Sequence, residues 1–82
     1  MRVTLLYFAA VRDLVGIDRE DVVIDADTRS VGALRRWLEA NRASLTDRLA
    51  TVRLAVDERF AKDDELLHDG AVIALIPPVA GG

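Results

Sequence analysis

The chain has no cysteine and a single histidine, His68. Without cysteine there is no disulfide, no thiolate metal site and no cysteine nucleophile. Ser30 and Ser44 are the only serines, so a Ser-His-Asp arrangement would have to recruit His68, and no strand–GxSxG–helix context surrounds either serine. Neither GxGxxG nor GxxxxGK occurs, which excludes the common phosphate-cradling loops. No apolar run approaches the ~18 residues of a membrane span. Residues 1–8 carry a charge and alternate instead of forming a solid apolar block, so no secretory signal is visible and the cytoplasm is the expected location. The net charge is −3 and the basic residues are scattered singly or in pairs, which is no footprint for nucleic acid. Lysine is almost missing, with Lys62 alone. The acidic run Asp63, Asp64 and Glu65 lacks the spacing and glycine of a calcium loop and reads as a solvated loop. The expectation is a domain that binds no cofactor or metal of its own, and has neither nucleic acid nor membrane as partner.

What is present is an ordinary globular pattern, 51% hydrophobic and 30% charged. A chain of 82 residues is one domain, burying roughly 60–65% of its unfolded surface. Residues 2–8 (RVTLLYF) read as a strand buried on both faces, since Leu6 and Phe8 are apolar as well as Val3, Leu5 and Tyr7. Residues 9–15 place Ala10, Val11, Leu14 and Val15 at helical spacing, closed by Gly16. A polar turn over 17–21 precedes a second strand over 21–26. Residues 30–42 form the clearest helix, with Ser30 as N-cap and Val31, Leu34, Trp37 and Leu38 as its apolar stripe. Arg35, Arg36, Glu39 and Arg42 fall on its wet side. Residues 44–50 add a turn capped by Ser44, with Leu45 and Leu49 inward. A third strand spans 51–56, Asp57-Glu58 turns tightly, and Arg59-Phe60 starts a short edge strand. The loop 62–67 tucks Leu66 and Leu67 under the core, and Asp69-Gly70 turns into 71–76 (AVIALI), an apolar run fit for a central strand. About five strands against one main helix make an α+β two-layer domain. Its expected arrangement is the β-grasp, or ubiquitin-like, fold over residues 1–76, followed by an extended tail over 77–82.

That tail, reached through IPPVAGG, raises the functional question. Pro77 has no amide proton and ends the strand at Ile76. Pro77-Pro78 favours the stiff polyproline II rod, aiming the chain away from the domain. Val79, Ala80, Gly81 and Gly82 then shrink progressively, and the whole stretch reaches roughly 20 Å when extended. Glycine alone lets a backbone enter another protein with no side chain in the way. The α-carboxylate of Gly82 is ionised near neutral pH and unreactive until activated, for instance as an acyl adenylate. Activated, it can acylate an amine or accept sulfide as a thiocarboxylate. With no cysteine in the chain, any sulfur carried would sit on this end, and a partner enzyme must do the activating.

Three segments, LYFAAVRDLVG (6–16), SVGALRRWL (30–38) and LLHDGAVIALIPPVAGG (66–82), resemble the small, sulfur-carrying subunits of molybdopterin synthase, a ubiquitin-like family, across the whole chain. Two positions depart from that pattern: Asp57 stands where an Asn is common, and Ala71 where an acidic residue is common. The resemblance implies an adenylating enzyme that uses ATP to activate Gly82, and a sulfurtransferase system that installs the thiocarboxylate. It further implies a large synthase subunit into which Gly81 and Gly82 thread, to sulfurate a cyclic pyranopterin phosphate. The catalytic side chains would belong to the large subunit, in a heterotetramer. Docking would use Ile76, Pro77, Pro78, Val79 and Ala80 at the tail, with Phe8 and Arg12 from the matching N-terminal segment. Phe8 reads equally as a core residue and Arg12 equally as a solvated helix arginine; His68 reads as exposed. Sulfur carriage for thiamine or tRNA thiolation, a ubiquitin-like modifier of proteins, and a plain interaction module are the alternatives.

Overall fold

Alternation along Arg2–Tyr7 (β1) sends Val3, Leu5 and Tyr7 into the core and leaves Thr4 and Leu6 on the other face. The computed structural model describes residues 1–78. After β1 the chain forms α1 (Ala9–Val15), β2 (Arg19–Val23), α2 (Val31–Asn41), a 3₁₀ turn (Ala43–Leu45), β3 (Arg53–Val56), β4 (Arg59–Phe60) and β5 (Val72–Ile76). The strands build one five-stranded sheet in the order β2-β1-β5-β3-β4. β5 is central, parallel to β1 and antiparallel to β3, and the two remaining pairings are antiparallel. This is the α+β architecture expected from the element order, with a mixed sheet and the β-grasp connectivity.

The helices cover one face of the sheet, and this corrects the expectation that β1 is buried on both sides: Phe8 is 46% exposed. Leu5, Leu34, Leu38, Leu45, Leu49 and Leu75 have no exposed surface and form the centre of the core. Gly16 closes α1 in the left-handed region at φ 92°, its N–H bonding to the Arg12 carbonyl. Ser30 caps α2 by accepting from the Ala33 N–H at 3.1 Å. Ser44 lies inside the 3₁₀ turn and caps nothing; Arg42 occupies the position before it. β2 begins two residues earlier than the apolar pattern suggested, because its ladder with β1 reaches Leu6↔Arg19, and it stops at Val23 as β1 runs out. β3 begins later than expected, since the Val52 N–H is taken by the Leu49 carbonyl in a turn. Leu67 is buried but Leu66 is 72% exposed, pairing through its backbone with Ser30 instead of entering the core.

Two arginines assigned to the wet side of α2 act as internal ties. Arg35 donates to the carbonyls of Leu49 (2.5 Å) and Val52 (2.7 Å) and pairs with Asp63 at 3.3 Å. Those carbonyls belong to a loop without a ladder of its own, so a cation satisfies what the sheet cannot. Arg42 grips Glu20 with two nitrogens, at 2.7 and 3.0 Å, and Glu20 also accepts the Tyr7 hydroxyl at 2.5 Å. The end of α2 is thereby joined to β1 and β2. The Arg42 hydrogen bonds hold the Glu20 carboxyl below the usual range, whereas burial pushes the Tyr7 phenol up and Glu20 reinforces it.

Because Glu20 titrates lower when folded, its stabilisation is complete above the ordinary carboxylate range and disappears as pH falls through the folded pKa. Glu20→Gln is expected to lower the unfolding free energy by about 1–2 kcal/mol at neutral pH, the worth of hydrogen bonds to a charged group. At pH near 3 the loss should be much smaller. Urea denaturation at both pH values checks this; an equal loss at both would contradict the charge-assisted tie.

Candidate functional site

On the face of the sheet turned away from the helices, apolar side chains of the described residues gather without a cover. Register determines which side chains meet there. Ala74 of β5 pairs with Leu6 on one side and Ala55 on the other, and Ala55 pairs with Phe60. One step along, Ile76 pairs with Arg53; one step back, Val72 pairs with Thr4. The two small alanines in the middle leave a shallow depression of about 270 Å³, rimmed by Leu6, Phe8, Glu58, Phe60, Val72 and Ile76. Phe60 is 54% exposed, and the Arg53 guanidinium lies 3.7 Å from its ring centroid. A cation stacked this way keeps its charge at the surface while its planar head covers part of the aromatic ring.

β5 leaves the sheet beside this face. Pro77 and Pro78 continue past Ile76 into a second groove of about 420 Å³, between α1 (Ala10, Leu14) and residues 45–52. The structure therefore brings Phe8 and Ile76 together, with Pro77 and Pro78 adjacent. Arg12 is placed elsewhere, in a separate recess with Asp13, Gly16, Ile17 and Asp18. Val79, Ala80, Gly81 and Gly82 lie outside the described residues. Phe60, Val72, Ala74 and Arg53 were missed as site residues. The signal for two of them was in the sequence: alternation in AVIALI puts Val72 and Ala74 on one face with Ile76, and a two-layer fold leaves one face uncovered.

His68 is exposed, as expected, yet it is not idle. Its Nε2 meets Asp57 Oδ2 at 2.5 Å and its Nδ1 meets the Asp69 carbonyl at 2.9 Å. Both partners are acceptors, so both ring nitrogens donate and the imidazolium form is favoured. Asp57 in turn accepts the Val72 N–H at 3.0 Å through Oδ1 and gives its own N–H to the Val72 carbonyl. Asp57 and Glu58 turn with left-handed φ of 50° and 70°, a conformation that aspartate tolerates and that is unfavourable for Glu58. The His68–Asp57 clamp fastens that strained turn to the start of β5, and Glu58 from the same turn rims the apolar depression. The hydrogen bond from His68 depresses the Asp57 carboxyl, and Asp57 raises His68. Of the acidic run, Asp63 is tied to Arg35 and Glu65 to Arg59. Among the described residues no group of His, Asp or Glu is arranged to hold a metal ion, and no helix is long and apolar enough to cross a membrane. The arrangement is suited to docking, with an apolar face and an adjacent proline-stiffened strand end.

The family model described as "ThiS family" matches residues 5–82. The "Molybdopterin synthase sulfur carrier subunit" of Escherichia coli (strain K12) is 38% identical over 82 residues, covering 98% of this chain and 99% of that protein. Among solved structures, "Putative molybdopterin converting factor, subunit 1" from Pyrococcus furiosus superposes with a TM-score of 0.84 at 30% identity, over 96% of this chain and 99% of its own. A chain in the "Protein-protein complex of subunit 1 and 2 of Molybdopterin-converting factor" from Helicobacter pylori 26695 shares the fold, with a TM-score of 0.70 and 24% identity over the full length of both chains. The resemblance drawn from the three sequence segments thus holds along the whole chain.

His68 is expected to titrate above the ordinary histidine value of about 6.5. Since its pKa is raised by folding, the clamp is complete below that ordinary value and loosens as pH rises through the folded pKa. Asp57→Asn should return the titration to the ordinary range, followed through the His68 ring protons by NMR. An identical curve in the variant would show that Asp57 does not hold the ring.

Proposed function

Because the chain belongs to the ThiS family, we propose that it is the sulfur carrier subunit of a molybdopterin synthase. The observation that carries this reading is the exit of β5, beside an open apolar face, into a proline-stiffened stem, in a chain matched end to end by a sulfur carrier subunit. In this reading a partner adenylating enzyme spends ATP to convert the Gly82 carboxylate to an acyl adenylate. A sulfurtransferase system then replaces the adenylate by sulfide, giving a thiocarboxylate. The domain supplies no catalytic base and no phosphate loop, so both steps, and the later transfer, depend on side chains of other proteins.

Docking to the large subunit uses Phe8 and Ile76 together with Phe60, Val72 and the stacked Arg53, a composition of the kind enriched at interface centres. Pro77 and Pro78 stiffen the base of the tail, and Val79, Ala80 and Gly81 pass through the partner so that the sulfur reaches a cyclic pyranopterin monophosphate. Arg12, on its separate recess, contributes at the margin of that interface. Two transfers complete the dithiolene of molybdopterin in a cytoplasmic heterotetramer. The Helicobacter pylori complex of subunits 1 and 2 supports a large-subunit partner for this fold.

Intact mass of the protein purified from its own cells is expected to show one oxygen of the Gly82 carboxylate replaced by sulfur. A mass extending past Gly82, or adducts joined to target lysines without any sulfur form, would overturn the reading in favour of another precursor or of a protein modifier. Removing Gly82 should abolish sulfur transfer while leaving the Tm unaltered. Ile76→Asp or Phe60→Asp should weaken binding of the large subunit by at least about tenfold, roughly 1.4 kcal/mol, measured by calorimetry. Unchanged affinity in both would place the interface elsewhere.

A further inference from the structure

β4 is the least supported strand of the face assigned to docking. It holds to β3 through Ala55↔Phe60 and Val56↔Arg59, and among the described residues no strand borders it on the other side. The place of Phe60 on the rim of the apolar depression therefore follows the β3–β4 hairpin. The tip of that hairpin is Asp57-Glu58, with left-handed φ at both residues. A two-residue turn of this kind favours Asn or Asp followed by Gly. Glu58 stands where glycine would be at ease, so the tip depends on a hold from outside.

The Asp57 carboxylate supplies that hold. The β3–β5 ladder ends at Val56↔Ile73. Beyond it the Asp57 N–H bonds to the Val72 carbonyl at 2.9 Å, and Asp57 Oδ1 accepts the Val72 N–H at 3.0 Å. A side-chain oxygen thus takes the rung that a main-chain carbonyl would take in a longer ladder. Oδ2 of the same carboxylate meets His68 Nε2 at 2.5 Å, which fixes its orientation. A neutral imidazole has one N–H, yet both His68 nitrogens face acceptors, Asp57 and the Asp69 carbonyl. Loss of the proton leaves one of these contacts unbonded, whichever nitrogen keeps its hydrogen. The other charged groups around the pair are Glu58, Asp69, whose carboxylate accepts the Arg2 N–H at 2.7 Å, and Arg59, which pairs with Glu65 at 3.4 Å. The Asp57 hydrogen bond, and after it Asp69, favours the imidazolium; His68 above all, and Arg59 least, keeps Asp57 ionised.

We propose that His68 and Asp57 are positioning residues for large-subunit docking: the protonated ring holds the Asp57 carboxylate, and through it the hairpin tip, so that Glu58 and Phe60 keep the rim of the apolar depression in its docking shape. The inference rests on the use of this face for docking. Affinity for the large subunit then falls as pH rises through the folded His68 pKa, because the docking shape is the one that binds the proton.

The test uses the full chain with its large subunit, and the variants His68→Ala and Asp57→Asn. Asparagine accepts left-handed φ, and its side-chain oxygen can still take the Val72 N–H, so Asp57→Asn keeps the turn without a proton. By calorimetry, wild type is expected to bind about two- to fivefold more tightly than His68→Ala below the ordinary histidine pKa, the range of an exposed ion pair, and equally well about two pH units above it. In the Asp57→Asn background, adding His68→Ala should change affinity at neither pH. A wild-type to His68→Ala ratio that stays constant with pH, or an undiminished His68 effect in the Asp57→Asn background, would overturn the proposal. In the free chain, NMR should show the Phe60 ring protons and the Ala74 amide moving with the His68 titration in wild type and flat in His68→Ala. Resonances that ignore His68 would overturn the proposal with no partner present. Failure of every protein to bind the large subunit would instead sink the docking reading, and the free-chain resonances would still decide the positioning role.

Discussion

The parallel pairing of β1 with β5 is the constraint from which the rest of the molecule follows. Two parallel neighbours point their C-terminal ends the same way, so the residue after β1 and the residue that ends β5 emerge at one end of the sheet. Phe8 and Ile76 meet for that reason, though they are far apart in sequence. The same geometry sends α1 off beside the strand end, so its Ala10 and Leu14 line the groove that Pro77 and Pro78 enter. β5 can hold this place because AVIALI is apolar throughout, as a strand flanked on both sides requires, and because Pro77 then forbids another rung.

Covering only one face of the sheet divides the labour between the two sides. The inner face is aliphatic and sealed, and its polar groups are satisfied by arginines on and just after α2: Arg35 bonds the 49–52 loop, and Arg42 bonds Glu20, which also accepts the Tyr7 hydroxyl. The outer face is not uniform. Around β5, β3 and β4 it is apolar, with Phe60 under Arg53, whereas on β2 it presents Arg19 and Asp21 beside Leu6 and Thr4. A partner reading this face meets a hydrophobic half next to the strand exit and a charged half farther off, which gives the docked complex an orientation as well as an affinity.

Element types and their order were legible in the sequence because they depend on local periodicity and on capping chemistry: the Ser30 cap and the Gly16 stop stand where side-chain chemistry alone puts them. Boundaries and faces were less so, since pairing partners decide them. β2 starts at Arg19 because β1 extends that far, not because Arg19 favours a strand. The arginines of α2 looked solvated because helical spacing reveals which face a residue is on but not what loop folds against it. Phe8 stayed ambiguous until the coverage of the sheet was known, and Phe60 gave no local hint of its role. The His68 clamp was invisible for the same reason, as His68 and Asp57 stand in separate turns.

Among the described residues nothing pairs with the outer margins of β2 and β4, and an unpaired strand margin is a template on which another chain can add itself. Here the margins are unfit for that. β2 offers Arg19, Glu20 and Asp21 in succession, so a second copy laid against it would have to desolvate a run of charged side chains, and β4 is only two residues long. A hydrophobic face left without a cover exposes a small protein to self-association. The charged and truncated borders confine recognition to side chains on the face and deny the backbone to strangers.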